Sequence, residues 1–214
     1  VANETSLAGT GVTAAADQPQ QDATLTLNGT SITLPDGSGD TPDEFLTDVA
    51  AAINNKTAAT GVEALYDGSP EDGIDLVAED GRNITLDFSG NGGINDGNGN
   101  PIAEADLAAA FGLEDTGGNA TETFRGTYSL ISEDGSDIQL DSLGDITRSG
   151  FQQGTFSGLN SGAVSGEMPN SAMLEGDLVL NEVSIRASEA DKDTASPDAT
   201  TPETSAIAKA AAIN

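Results

Sequence analysis

The sequence predicts an α+β fold built of small, mostly antiparallel sheets, each covered by one helix. Three internal matches carry that prediction. "LTLNGTSI" (25–32) matches "LVLNEVSI" (178–185) at five of eight positions. "TPDEFLTDVAAAIN" (41–54) matches "TPETSAIAKAAAIN" (201–214) at seven of fourteen. "IDLVAEDGRNITL" (74–86) matches "YSLISEDGSDIQL" (128–140) at six of thirteen. Alanine-rich stretches coincide by chance, but a strand pair precedes the helix both times, in the same order.

The elements follow in turn. In "ATLTLNGTSITL", Leu25, Leu27, Ile32 and Leu34 flank Asn28-Gly29, a dipeptide that favours positive φ and a tight hairpin. A Gly-rich loop leads to Thr41-Pro42-Asp43-Glu44, which reads as an N-cap, an N1 proline and a capping box. Phe45, Val49 and Ile53 then recur at spacing four, with Leu46 and Ala52 beside them, as the apolar stripe of a helix. Asn54-Asn55 and Gly61 end it, and "GVEALYDG" follows as a short strand. "GIDLVAEDGRNITLDF" alternates on both sides of Asp80-Gly81, a second expected hairpin with Ile74, Leu76, Ile84, Leu86 and Phe88 on one face.

Residues 23–88 are thus expected to form one β-β-α-β-β-β module, and residues 176–214 the first half of a second, its remaining strands lying past the last residue. Residues 1–22 read as the tail of a preceding module and a linker. Residues 89–175 are expected to be an inserted β-rich domain. It opens with the turn-rich "SGNGGINDGNGNP", then a short amphipathic helix, "EADLAAAFGL". A further hairpin is expected in "TFRGTYSLISEDGSDIQL", followed by the Gly/Ser-rich "RSGFQQGTFSGLNSGAVSG". With Val first and a helix pattern last, the chain reads as a piece of a longer one.

Composition removes most catalytic chemistry. The chain has no Cys and no His, which excludes disulfides, thiolate or imidazole metal sites and Ser-His-Asp triads. Seven basic residues stand against 36 acidic ones, a net charge of -29, the wrong sign for nucleic acid or an anionic membrane. No apolar run approaches the ~18 residues of a membrane helix, and no basic-then-apolar leader opens the chain.

Sharper motifs fail on their details. In "NDGNGNPIAEAD", Asp96, Asn98 and Asn100 have the spacing that opens an EF-hand loop, but Pro101 stands where Gly is needed and Leu107 where a bidentate Glu is needed. Paired carboxylates for glycoside cleavage occur by chance among so many acids, and few aromatics exist to hold a sugar. "GNGGINDG" lacks the basic residue and following helix of a phosphate loop. Asn3, Asn28, Asn55, Asn83 and Asn119 sit in N-x-Thr sequons, which reads as composition. No catalytic residue, metal or cofactor is expected.

Several stretches together resemble one family. "LTLNGTSI", "FLTDVAAAINNKTAATGVEALYDG", "GIDLVAEDGRNITLDF", "AAAFGL…TFRGTYSLISEDG", "GTFSG" and "GDLVLNEVSIRAS…SAIAKAAAIN" are similar, in that order, to the variable outer region of bacterial flagellin that carries the flagellin hook IN motif. The resemblance departs at Glu182, where the hairpin favours Gly, and in the acidic insertion "SEADKDTASPDATTPE"; both fall in loops, where added length costs little. It implies a structural, non-enzymatic, extracellular protein of the flagellar filament, whose partners are other flagellin subunits. Flagellins polymerise through long terminal helices. No heptad pattern of that kind occurs here, so the isolated piece is expected to be monomeric. A hook-associated or cap protein shares the motif. A secreted calcium- or glycan-binding adhesin is the reading from a different class.

Overall fold

A computed structural model describes residues 3–114, 116–157, 169–193, 195 and 201–214. The Gly/Ser-rich stretch past Ser157 and residues 194 and 196–200 of the acidic insertion lie outside the described residues. The α+β expectation holds: the described residues form three small antiparallel sheets and few helices. It divides into two compact units, one of Ser6–Ala78 with Ile84–Phe124, the other of Val1–Thr5, Glu79–Asn83 and Arg125–Asn214.

The first unit holds strands β1 (Thr5–Leu7), β2 (Ala23–Leu27) and β3 (Thr30–Leu34), helices α1 (Pro42–Asn54) and α2 (Thr57–Thr60), then β4 (Glu63–Leu65), β5 (Asp75–Ala78) and β6 (Ile84–Asp87). Helix α3 (Leu107–Ala110) and β7 (Thr121–Phe124) complete it. Two sheets form, in the orders β3-β2-β6-β7 and β1-β5-β4. The Asn28-Gly29 turn closes β2 onto β3 with φ of 48° and 80°, as the dipeptide requires. Thr41 caps α1 with a complete box: Thr41 Oγ1 accepts the Glu44 N–H, and Glu44 Oε2 accepts the Thr41 N–H at 3.0 Å. Phe45, Leu46, Val49 and Ile53 are fully buried, so the helical stripe faces the core that Leu25, Leu27, Leu76 and Leu86 build from both sheets.

Two expectations change here. The run around Asp80-Gly81 is not a hairpin, because β5 pairs with β4 and β6 pairs with β2. The alternation correctly set which side chains face inward, but an alternating strand can satisfy its backbone on any neighbour. The span 89–175 is also shared between the units rather than standing apart. Its helix serves the first core: Phe111, just past α3, sits 5.7 Å from the Phe45 ring and 6.0 Å from Phe88.

The second unit contains β8 (Ile138–Asp141), β9 (Gly154–Phe156), β10 (Val179–Leu180), β11 (Val183–Ser184) and α4 (Ala206–Ile213). Its sheet order is β11-β10-β8-β9. Hairpin β10-β11 and α4 share one core through Leu178, Ile185, Ala206 and Ala210, joined by Tyr128, Leu140 and Phe151. Arg186 reinforces this by donating to the carbonyls of Ala211 and Ala212. The Tyr128 ring meets Phe151 edge-on at 5.0 Å, and its hydroxyl donates to the Ser149 carbonyl.

The first unit's four-stranded sheet recurs here in a different chain order. Registers coincide: Thr26 faces Asp87 and Leu27 faces Leu86, while Val179 faces Asp141 and Leu180 faces Leu140. At the edge, Thr123 and Phe124 on β7 correspond to Thr155 and Phe156 on β9. The strands matching β5 and β6 that were expected past the last residue therefore lie upstream, and, apart from a strand matching β4, the described part of the second unit is a circularly permuted copy of the first. In one the hairpin precedes the matching inner strand; in the other it follows it. Helix α4 also begins a turn later than its match predicts. Thr204 stands where α1 has Glu44, so no capping box can close. Pro202–Thr204 forms a 3₁₀ turn, and Ser205 caps by accepting the Ala208 N–H at 3.1 Å. Among the described residues, no helix is long and apolar enough to cross a membrane.

Candidate functional site

The acidic loop singled out for calcium is closed by its own hydrogen bonds. An antiparallel bridge joins Asn95 to Pro101. Within it, Asp96 Oδ1 accepts the N–H groups of Asn98 and Asn100 at 2.9 and 2.7 Å, and Oδ2 accepts the Asn100 amide at 3.0 Å. These bonds, the Asn100 side chain foremost, hold the Asp96 carboxyl below its ordinary range. Asn98 Nδ2 donates toward the Ala16 carbonyl, and Leu107 is buried at the start of α3. The loop thus gathers Asp96, Asn98 and Asn100, but around Asp96 rather than around a cation-sized space. Among the described residues, no group of three or more Asp or Glu side chains converges as a metal site would require.

Other turn carboxylates behave alike. Asp134 accepts from the Ser136 hydroxyl and N–H and from the Ser132 hydroxyl, and is held down at about 2. Glu44 is held low by the Thr41 N–H and hydroxyl of the capping box. A glycosidase general acid needs a carboxyl pushed upward, so these groups are suited to turn closure instead.

The sequon asparagines divide by their structural use. Asn28 and Asn83 are engaged: Asn28 Nδ2 donates to the Thr60 carbonyl, and Asn83 Oδ1 accepts the Gly126 N–H. Asn3 bonds Thr127 and Ser129, and Asn119 bonds the Thr116 carbonyl and Glu122. Asn55 is the exposed C-cap of α1.

Sequence reasoning missed three features. Asn28 and Asn181 act as clamps, beyond their part in the turns. Asn28 Oδ1 accepts the Thr85 N–H at 2.8 Å, while the Thr85 carbonyl accepts the Asn28 N–H at 3.1 Å. Asn181 and Gln139 make the same two bonds at 2.8 and 2.9 Å. The second feature is Lys209, fully buried at the position matching Val49, its ammonium donating to the Pro169 carbonyl at 3.1 Å. Burial, aided by Arg125, pushes its pKa down to about 8. The match to Val49 was the available signal.

The third feature is a groove of about 530 Å³ in the second unit. It lies between residues 128–133 and the end of α4, with Leu130, Ile131, Asn181, Ala210, Ile213 and Asn214 on its walls. Its one acidic lining residue is Glu133, and the others are apolar or carry a hydroxyl or an amide. Comparison with protein-family models, with curated proteins and with solved structures finds no match to this chain.

Proposed function

We propose that the chain forms surface-exposed outer domains of a bacterial flagellar filament and contributes structure, not catalysis. The reading rests on the order of the hook IN-like motifs along the chain, "LTLNGTSI", "FLTDVAAAIN" and "GIDLVAEDGRNITLDF" first, then "GDLVLNEVSI" and "SAIAKAAAIN". The unit architecture supports it: two compact, lean-cored units, rich in backbone-closing Asp and Asn turns, suit projecting domains that are repeated many times on a filament. The -29 charge supports it also, since like-charged outer surfaces repel and stay soluble.

Immunogold labelling with antibody raised against this chain, on cells of the source bacterium, tests the proposal. Labelling along the whole filament is the expected result. Labelling confined to the filament tip or its base would replace flagellin with a cap or hook-associated protein. Labelling of the cell envelope alone would overturn the flagellar reading in favour of an adhesin.

A further inference from the structure

The first unit shows what the groove of the second is shaped to hold. In the first unit, the chain leaves α1, turns through α2 and returns as β4. Three devices seat that return. Asn28 Nδ2 donates to the Thr60 carbonyl at 3.0 Å. The Asn54 side chain donates to the Ala64 carbonyl and accepts the Ala64 N–H, both at 2.8 Å. The ladder then pairs Glu63, Ala64 and Leu65 with Val77, Leu76 and Asp75.

Every one of these devices has a counterpart lining the groove. The internal matches equate Asn28 with Asn181, Asn54 with Asn214, and Asp75–Val77 with residues 129–131. The walls correspond too: Ala50 and Ile53 of α1 become Ala210 and Ile213 of α4. Among the described residues, no strand pairs with Leu130 or Ile131, and Ile131 is 60% exposed. An edge with no strand beside it at Leu130 and Ile131 is a template for one more strand.

We propose that this groove is the seat of one antiparallel strand of the β4 type, supplied in cis from the C-terminal side of α4. The strand carries a small apolar residue inward, as Ala64 does, and outward side chains on either side of it, as Glu63 and Leu65 do. Asn214 clamps its backbone, Asn181 holds the turn leading into it, and the edge at Leu130 and Ile131 completes the ladder. The proposal is independent of the filament reading, because it rests on the molecule's own second copy.

The test appends a copy of residues 55–68 to Asn214 of the full chain and follows amide hydrogen exchange. Exchange at Leu130 and Ile131 is expected to slow at least about tenfold relative to the unextended chain. The same extension with Ala64→Asp in the appended copy is expected to give no slowing, because the inward position cannot accept a carboxylate. Asn214→Ala in the extended chain is expected to lose a large part of the protection. Unchanged exchange in the extended chain would overturn the proposal, as would equal protection from the Ala64→Asp extension.

Discussion

The two units reach the same sheet by different routes. In the first, hairpin β2-β3 comes before inner strand β6; in the second, inner strand β8 comes before hairpin β10-β11. Yet the order across the sheet, the register and the paired asparagine bonds are the same. Connectivity therefore does not set the sheet. Local chemistry does: an Asn at positive φ presents its side-chain oxygen to the next strand's N–H and fixes the register residue by residue. The units differ where that chemistry differs, at the helix start, at the hairpin tip and at one core position. Each difference can be exchanged between them.

The core position should give the largest effect. Val49→Lys places an amine in the first core without the Pro169 carbonyl that receives Lys209, and should cost that unit about 3–5 kcal/mol. Lys209→Met should stabilise the second unit by about 2 kcal/mol at pH 7, read from denaturant midpoints with unit-specific probes. The pH dependence has a definite sign. The folded pKa of Lys209, about 8, lies below its ordinary value of 10.5. Below pH 8 both states are protonated and the burial penalty is complete. Between those values the unfolded chain holds more protons, so stability rises with pH. Above about pH 10 the trend reverses, because burial raises the hydroxyl pKa of Tyr128 in the same unit and the unfolded state ionises first. Lys209→Met should abolish the rise between pH 8 and 10. A second unit whose stability is flat over that window before mutation would contradict the assignment.

The asparagine clamps come next. Asn181→Ala removes the acceptor for the Gln139 N–H and strains a positive-φ turn, a loss of about 2 kcal/mol. Asn28→Ala also removes the donor to the Thr60 carbonyl and should cost about 1 kcal/mol more. Equal losses at the two sites would mean that the Thr60 bond carries no weight. At the hairpin tips, Glu182 holds φ at 69° where the first unit has Gly29 at 80°. Glu182→Gly should stabilise the second unit by about 1 kcal/mol, since only Gly occupies that region without a Cβ clash. Gly29→Glu should destabilise the first by a similar amount, both read from thermal unfolding. The smallest contrast lies at the helix starts. Thr41→Ala breaks a capping box and should cost about 1 kcal/mol, whereas Thr201→Ala should change little because Ser205 caps α4.

The sequence already carried the parts of this architecture that depend on local chemistry. Asn28-Gly29, the Thr41 box and the apolar stripe of α1 at spacing four needed no partner to be read, and all form as expected. The match between 74–86 and 128–140 was visible too, but its meaning was not. It marks the segment that feeds an inner strand in each unit, and period-two alternation says which face is buried without naming the neighbour. For the same reason Asp80-Gly81 passed for a hairpin. The calcium-like loop was legible as defective through Pro101 and Leu107, whereas its closure on Asp96 required coordinates. The groove could not be read at all, because it is defined by comparing one folded unit with the other.

Lys209 also makes the second unit a reporter of its own opening. The chain has three lysines, and Lys56 and Lys192 reach solvent while Lys209 does not. An amine-directed acylating reagent should mark the first two promptly and the third only during excursions that expose α4. Where reclosing outpaces acylation, the slow labelling rate is the reagent's intrinsic rate multiplied by the fraction of time α4 spends open. Intact-mass spectrometry would then display, after the prompt adducts of Lys56, Lys192 and the N-terminal amine, one delayed adduct whose delay measures that fraction directly, without any engineered probe.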